Sequence, residues 1–175
     1  NNLGFVYQEE KDFDEAKQWY DEAIRLQPNY IVAHHNLGLI YHLQEKYNKA
    51  ELSYKKAIKI KPEYFSVYVN LGNALLKQGK VIEAKDYYDQ AIKFEKENPE
   101  AYNNLGIVLQ KLGKIKEAKT AHEQALKYKN DYPEAHYNLG FCLQKLDNFD
   151  EAISAYKQAL IIKPDYASAE SRMLD

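Results

Sequence analysis

Apolar and small residues recur along this chain in two helical stripes, and the pair of stripes has a fixed length. In residues 31–62, Ala33, Leu37 and Ile40 follow one another at spacings of four and three, and Ala50, Tyr54 and Ala57 do the same. Such spacing keeps side chains on one face of an α-helix. Each stripe therefore predicts an amphipathic helix, and the break between them a short turn. The pattern predicts helices over 1–10, 13–27, 31–44, 47–61, 65–78, 81–96, 99–112, 115–129, 133–146 and 149–162. Pro28, Pro62 and Pro164 supply stop signals. Lys96 and Asn130 stand where two further stop prolines would fall, and Pro99 and Pro133, three residues on, suit a first helical position instead. Gly79 reads as a helix C-terminal glycine.

The pattern repeats without drift. Asn2-Leu3-Gly4 returns as Asn36-Leu37-Gly38, Asn70-Leu71-Gly72, Asn104-Leu105-Gly106 and Asn138-Leu139-Gly140, each 34 residues after the last. A fixed period of this length marks stacked repeats in which each unit touches its neighbours. With the glycine counted as position 8, alanine recurs at positions 20 (Ala16, Ala50, Ala84, Ala118, Ala152) and 27 (Ala23, Ala57, Ala91, Ala125, Ala159), and a ring stands between them at position 24 (Tyr20, Tyr54, Tyr88, His122, Tyr156). Glycine inside a helix costs about 1 kcal/mol relative to alanine, so its recurrence implies a packing reason. The expectation is that two backbones approach where glycine meets the alanines, with Leu at position 7 and Ile or Leu at position 28 filling in around them.

Together these residues resemble the tetratricopeptide repeat, a helix-turn-helix unit of this length. The resemblance implies an all-α fold: an α-solenoid of five stacked units, about 1–30, 31–64, 65–98, 99–132 and 133–166, wound as a right-handed superhelix. A partial sixth or capping helix over 167–175 would complete a single domain spanning 1–175. In that family the first helices line a concave wall. The stripe of positions 2, 6, 9 and 13 is then expected to face the groove.

Position 6 is asparagine in every repeat: Asn2, Asn36, Asn70, Asn104 and Asn138. Asparagine is a poor mid-helix residue, and its carboxamide offers one acceptor and two donors, the complement of a passing peptide backbone. This is similar to the asparagine ladder in the repeat arm of O-GlcNAc transferases. The competing reading is that each asparagine bonds an adjacent helix. Around the ladder stand Asn73 at position 9, Gln110 and Gln144 at position 12, and Lys77, Lys111 and Lys145 at position 13. The lysines form a basic rail suited to an acidic ligand, or else a solvated row. Chaperone-binding family members clamp a C-terminal carboxylate with basic residues at positions 2, 5 and 6. Here positions 2 and 5 hold Val32, Ser66, Glu100, Glu134 and His35, Val69, Asn103, Tyr137, so that clamp is absent.

Composition narrows the choice. Net charge is −2 with both signs interspersed, which argues against general nucleic-acid binding. No apolar run approaches a membrane span. A lone cysteine, Cys142, excludes an internal disulfide and fits the cytoplasm or another intracellular compartment. Asn1 would fall inside a first helix, so the sequence is expected to begin within a longer protein. No nucleotide or zinc-protease motif occurs, the histidines make no ligand set, and no nucleophile-base-acid set can be assembled. The expectation is a module without cofactor or metal, not an enzyme, that holds an extended peptide segment of a partner protein. The alternatives are the substrate-selecting arm of a larger glycosyltransferase and a spacer that self-associates end to end.

Overall fold

A computed structural model of the chain describes residues 2–10, 12–166 and 171. Among these residues lie ten helices: α1 (Asn2–Glu9), α2 (Phe13–Leu26), α3 (Ile31–Leu43), α4 (Tyr47–Ile60), α5 (Ser66–Lys77), α6 (Val81–Phe94), α7 (Pro99–Lys111), α8 (Ile115–Tyr128), α9 (Pro133–Lys145) and α10 (Phe149–Ile162). They match the expected helices to within two residues at the ends. The expected partial helix over 167–175 falls outside the described residues, Ser171 apart. The chain divides into two compact units, Asn1–Phe94 and Glu95–Asp175.

In the N-terminal unit α1 pairs with α2, α3 with α4 and α5 with α6, while α2 packs on α3 and α4 on α5. In the C-terminal unit α7 pairs with α8 and α9 with α10, and α8 packs on α9. First helices also touch within each unit, α3 with α5 and α7 with α9.

The turn between the two helices of a hairpin is built the same way each time. The backbone N–H at position 16 (Asp12, Lys46, Lys80, Lys114, Asn148) donates to the carbonyl at position 11 (Tyr7, Tyr41, Leu75, Leu109, Leu143) over 2.8–3.0 Å. This six-residue closure is the Schellman motif, which demands a left-handed residue between helix and turn. Gly79 and Gly113 take that place at φ 77° and 73°; Glu45 and Asp147 take it at 58° and 60°. Asn98 caps α7 by accepting the Ala101 N–H at 2.9 Å, with Pro99 behind it at the first helical position.

The glycines work differently from the expectation. A Cβ on Gly72 would sit 2.6 Å from Cε1 of Tyr88, and one on Gly4 or Gly140 would meet Tyr20 or Tyr156 at 2.7 or 2.6 Å. Gly38 and Gly106 are crowded in the same way by Tyr54 and His122. What glycine admits is therefore the flat ring at position 24, not a second backbone. All five rings are fully or almost fully buried, as are the position-20 alanines that flank them. A ring lying against a helix backbone in this way fills space that a Cβ would occupy.

Candidate functional site

The position-24 rings enter from the second helix and deliver a polar tip to the first helix of the same hairpin. Tyr20 Oη donates to Oε1 of Gln8 at 3.1 Å, Tyr156 Oη to Oε1 of Gln144 at 3.1 Å, and Tyr88 Oη to Oδ1 of Asn73 at 2.7 Å. Asn73 and Gln144, expected among the ligand contacts, thus hold buried ring tips. Tyr54 is the exception: its hydroxyl is buried with no partner among the described residues, and burial pushes its pKa up. Position 12 of that hairpin is His42, whose ring instead stands edge-on to Tyr47 at 5.2 Å.

Two of the position-6 asparagines, Asn70 and Asn138, reach across to the preceding hairpin. In the N-terminal unit burial raises the pKa of the Tyr20 hydroxyl, and the nearby Asn36 side chain partly offsets that rise. Asn70 Nδ2 donates to His35 Nε2 at 2.9 Å. His35 must therefore carry its proton on Nδ1, which donates to the Tyr64 hydroxyl at 3.2 Å. Burial holds the ring neutral by lowering its pKa.

In the C-terminal unit the same link recurs with different chemistry. Asn138 Nδ2 donates to Oδ1 of Asn103 at 3.1 Å, again from position 6 to position 5 of the preceding first helix. The same oxygen accepts Nδ1–H of His122 at 3.1 Å, and His122 Nε2 accepts from Gln110 Nε2 at 3.1 Å. The second N–H of Gln110 is shared between the Asn138 carbonyl at 3.2 Å and Cys142 Sγ at 3.2 Å. His122 is wholly buried, and that burial lowers its pKa to about 3. A neutral imidazole with one donor and one acceptor satisfied is what a buried site requires. Gln110 therefore belongs to a network that ties α7, α8 and α9 together. Asn104 is likewise not without a partner.

The lysines are placed differently. Lys77, Lys111 and Lys145 are exposed, and among the described residues no carboxylate pairs with any of them. Lys145 lies over the Phe141 ring at 5.8 Å. Beyond its burial, His42 has its pKa lowered further by the charge of Lys77.

Two residues of this site carried no signal in the sequence, His35 and Asn103. Position 5 varies in type, and its link to a residue 35 places on appears only once first helices lie side by side. Among the described residues no group of His, Cys, Asp or Glu is placed to hold a metal ion, and no helix is long and apolar enough to cross a membrane.

Models of the tetratricopeptide repeat match residues 1–63, 53–86, 72–113, 109–147 and 133–166. No relative was found among curated protein sequences. Solved structures share the fold. The crystal structure of MamA is 26% identical, with 94% of this chain and 96% of that one covered at a TM-score of 0.84. YrrB, described as a TPR protein with an unusual peptide-binding site, is 23% identical, with 99% and 90% covered at 0.81. A thermophilic TPR protein of Thermus thermophilus is 21% identical, with 99% and 94% covered at 0.76.

Proposed function

Since the chain belongs to the tetratricopeptide repeat family, we propose that it is a non-catalytic interaction module whose first helices hold an extended segment of another protein. The observation that carries this reading is the state of the position-6 carboxamides. Asn70 and Asn138 each use one amide N–H on the preceding first helix. That bond fixes the plane of the carboxamide, while the second N–H and the side-chain carbonyl have no partner among the described residues. One donor and one acceptor, pre-oriented, complement a peptide unit and ignore its side chain. Both of the competing sequence readings thus apply to the same group: the asparagine bonds its neighbouring helix and keeps valence for a ligand. YrrB, of like fold, is described as having a peptide-binding site, which supports the assignment. Unpaired Lys77, Lys111 and Lys145 beside the ladder favour acidic side chains in the bound segment.

Replacing Asn70, Asn104 and Asn138 together by alanine is expected to weaken binding of a peptide selected from a random library about tenfold, near 0.5 kcal/mol for each carboxamide removed. Circular dichroism sets a temperature at which both proteins are folded, and titration calorimetry reads the affinity there. Unchanged affinity rejects the role. The alternative of a substrate-selecting arm, as in O-GlcNAc transferases, rests on the same ladder. It differs in requiring a glycosyltransferase region in the full gene product.

A further inference from the structure

One groove in the N-terminal unit combines an apolar floor with unpaired cations and lies away from the asparagine stripe. It runs between α2 and α4 as two adjoining hollows of about 500 and 340 Å³, which share Ile24, His34 and Lys56. Ile24, Leu37, Tyr41 and Ile60 form the apolar lining, and Leu52 stands at the edge, 66% exposed. The α3 residues in the floor, His34, Leu37 and Tyr41, lie on the opposite side of that helix from Asn36 and Leu43, because successive residues turn by about 100°.

Lys49, Lys56 and Lys59, all from α4 and all exposed, line this groove. Their spacing of seven and three residues puts them on one face over roughly 15 Å, about three turns. Among the described residues no carboxylate pairs with them; Lys49 lies over the Tyr41 ring at 5.7 Å. The one carboxylate in the lining, Asp21, is already taken by Lys17 at 2.5 Å. The corresponding hollow between α8 and α10 in the C-terminal unit, about 450 Å³, is lined by Lys119, Glu123 and Glu151, with Lys119 paired to Glu123 at 2.5 Å. The uncompensated positive lining is therefore a property of the α2–α4 groove and not of the repeat.

We propose that this groove docks an acidic amphipathic helix of a partner protein. Apolar side chains one turn apart would seat on Ile24, Leu37 and Ile60, and carboxylates flanking them would pair with Lys49, Lys56 and Lys59. Three turns of floor bounded by two helices suit a helix in a groove. The apolar floor and the net charge of −2 disfavour a nucleic acid, and a hollow disfavours a flat membrane surface.

The test uses the full chain and a labelled synthetic helix with leucines at i, i+3, i+4 and i+7 and glutamates on either side, followed by fluorescence anisotropy. Saturable binding is expected, weakened about tenfold by Lys56→Glu with Lys59→Glu and unaffected by the triple asparagine replacement. That last arm separates this groove from the peptide site of the first helices. If the charge-reversed variant loses its helical signal, Lys56→Gln with Lys59→Gln replaces it, with a loss of about threefold. A peptide with lysines in place of the glutamates is expected not to bind. Absence of saturable binding overturns the proposal, as does equal affinity for the charge-reversed variant. Preferential binding of a single-stranded oligonucleotide or of phosphatidylserine vesicles also overturns it.

Discussion

Gly72→Leu is expected to destabilise the protein by about 3 kcal/mol, lowering the melting temperature by roughly 6–12 °C. A Cβ there would lie 2.6 Å from Cε1 and 2.8 Å from Cζ of Tyr88, so a methyl group alone already displaces the ring. Tyr88 is completely buried and its hydroxyl is held by Asn73 at 2.7 Å. Tilting the ring away would break that bond inside the core, and leucine adds three more carbons to the collision. The better helix propensity of leucine recovers somewhat less than 1 kcal/mol. Because the clash is with one side chain, it is separable. Gly72→Ala combined with Tyr88→Leu should be less damaging than the sum of the two changes. Thermal melts of the four proteins measure this, and a melt unchanged by Gly72→Leu contradicts the ring-on-glycine packing.

The second large effect is at Glu51, in the N-terminal unit. Its side chain is almost wholly buried on α4 and accepts from Lys55 at 2.6 Å, Lys80 at 2.8 Å and Gln78 at 3.0 Å. Burial alone would raise its pKa, but the bonds from Lys55, Lys80 and Gln78 outweigh it and hold the carboxyl at about 2, against 4.5 ordinarily. That displacement corresponds to about 3 kcal/mol at about 1.4 per decade. The two lysines are partly solvated, 44% and 39% exposed, and screening reduces the figure to about 2 kcal/mol. Because the folded carboxyl is the stronger acid, this contribution is complete above pH 4.5 and is lost as the pH falls towards 2. Glu51→Gln should remove it at neutral pH, by about 2 kcal/mol, and flatten that part of the stability profile. Urea unfolding at several pH values reads both. Parallel profiles for the two proteins would contradict the network.

The sequence made the repeats legible because their small and aromatic positions are locked to the period. Gly72 and Tyr88 both stand out in the sequence, yet their spacing alone suggests a backbone crossing and not the ring contact that forms. Spacing places residues on faces but does not say which atom fills a gap. The turn is legible where glycine marks it, at Gly79 and, one period on, at Gly113. Glu45 and Asp147 share the left-handed backbone but no side-chain chemistry with the glycines, since the turn is held by backbone bonds. The recurring asparagines were visible as a stripe, whereas their partners were not. His35 and Asn103 differ in type and lie 35 residues away, so only stacked helices bring them together. Gln110, Gln144 and Asn73 looked available because position alone does not reveal a buried ring tip that needs an acceptor or donor.

Side-chain amide resonances of Asn70 and Asn138 report most directly on whether these carboxamides hold a peptide. During titration with a library-selected peptide, both amide pairs are predicted to shift to saturation and to show through-space contacts to the peptide's backbone protons. Saturated binding with both pairs unmoved, and with peptide contacts confined to other side chains, would contradict the role given to the ladder.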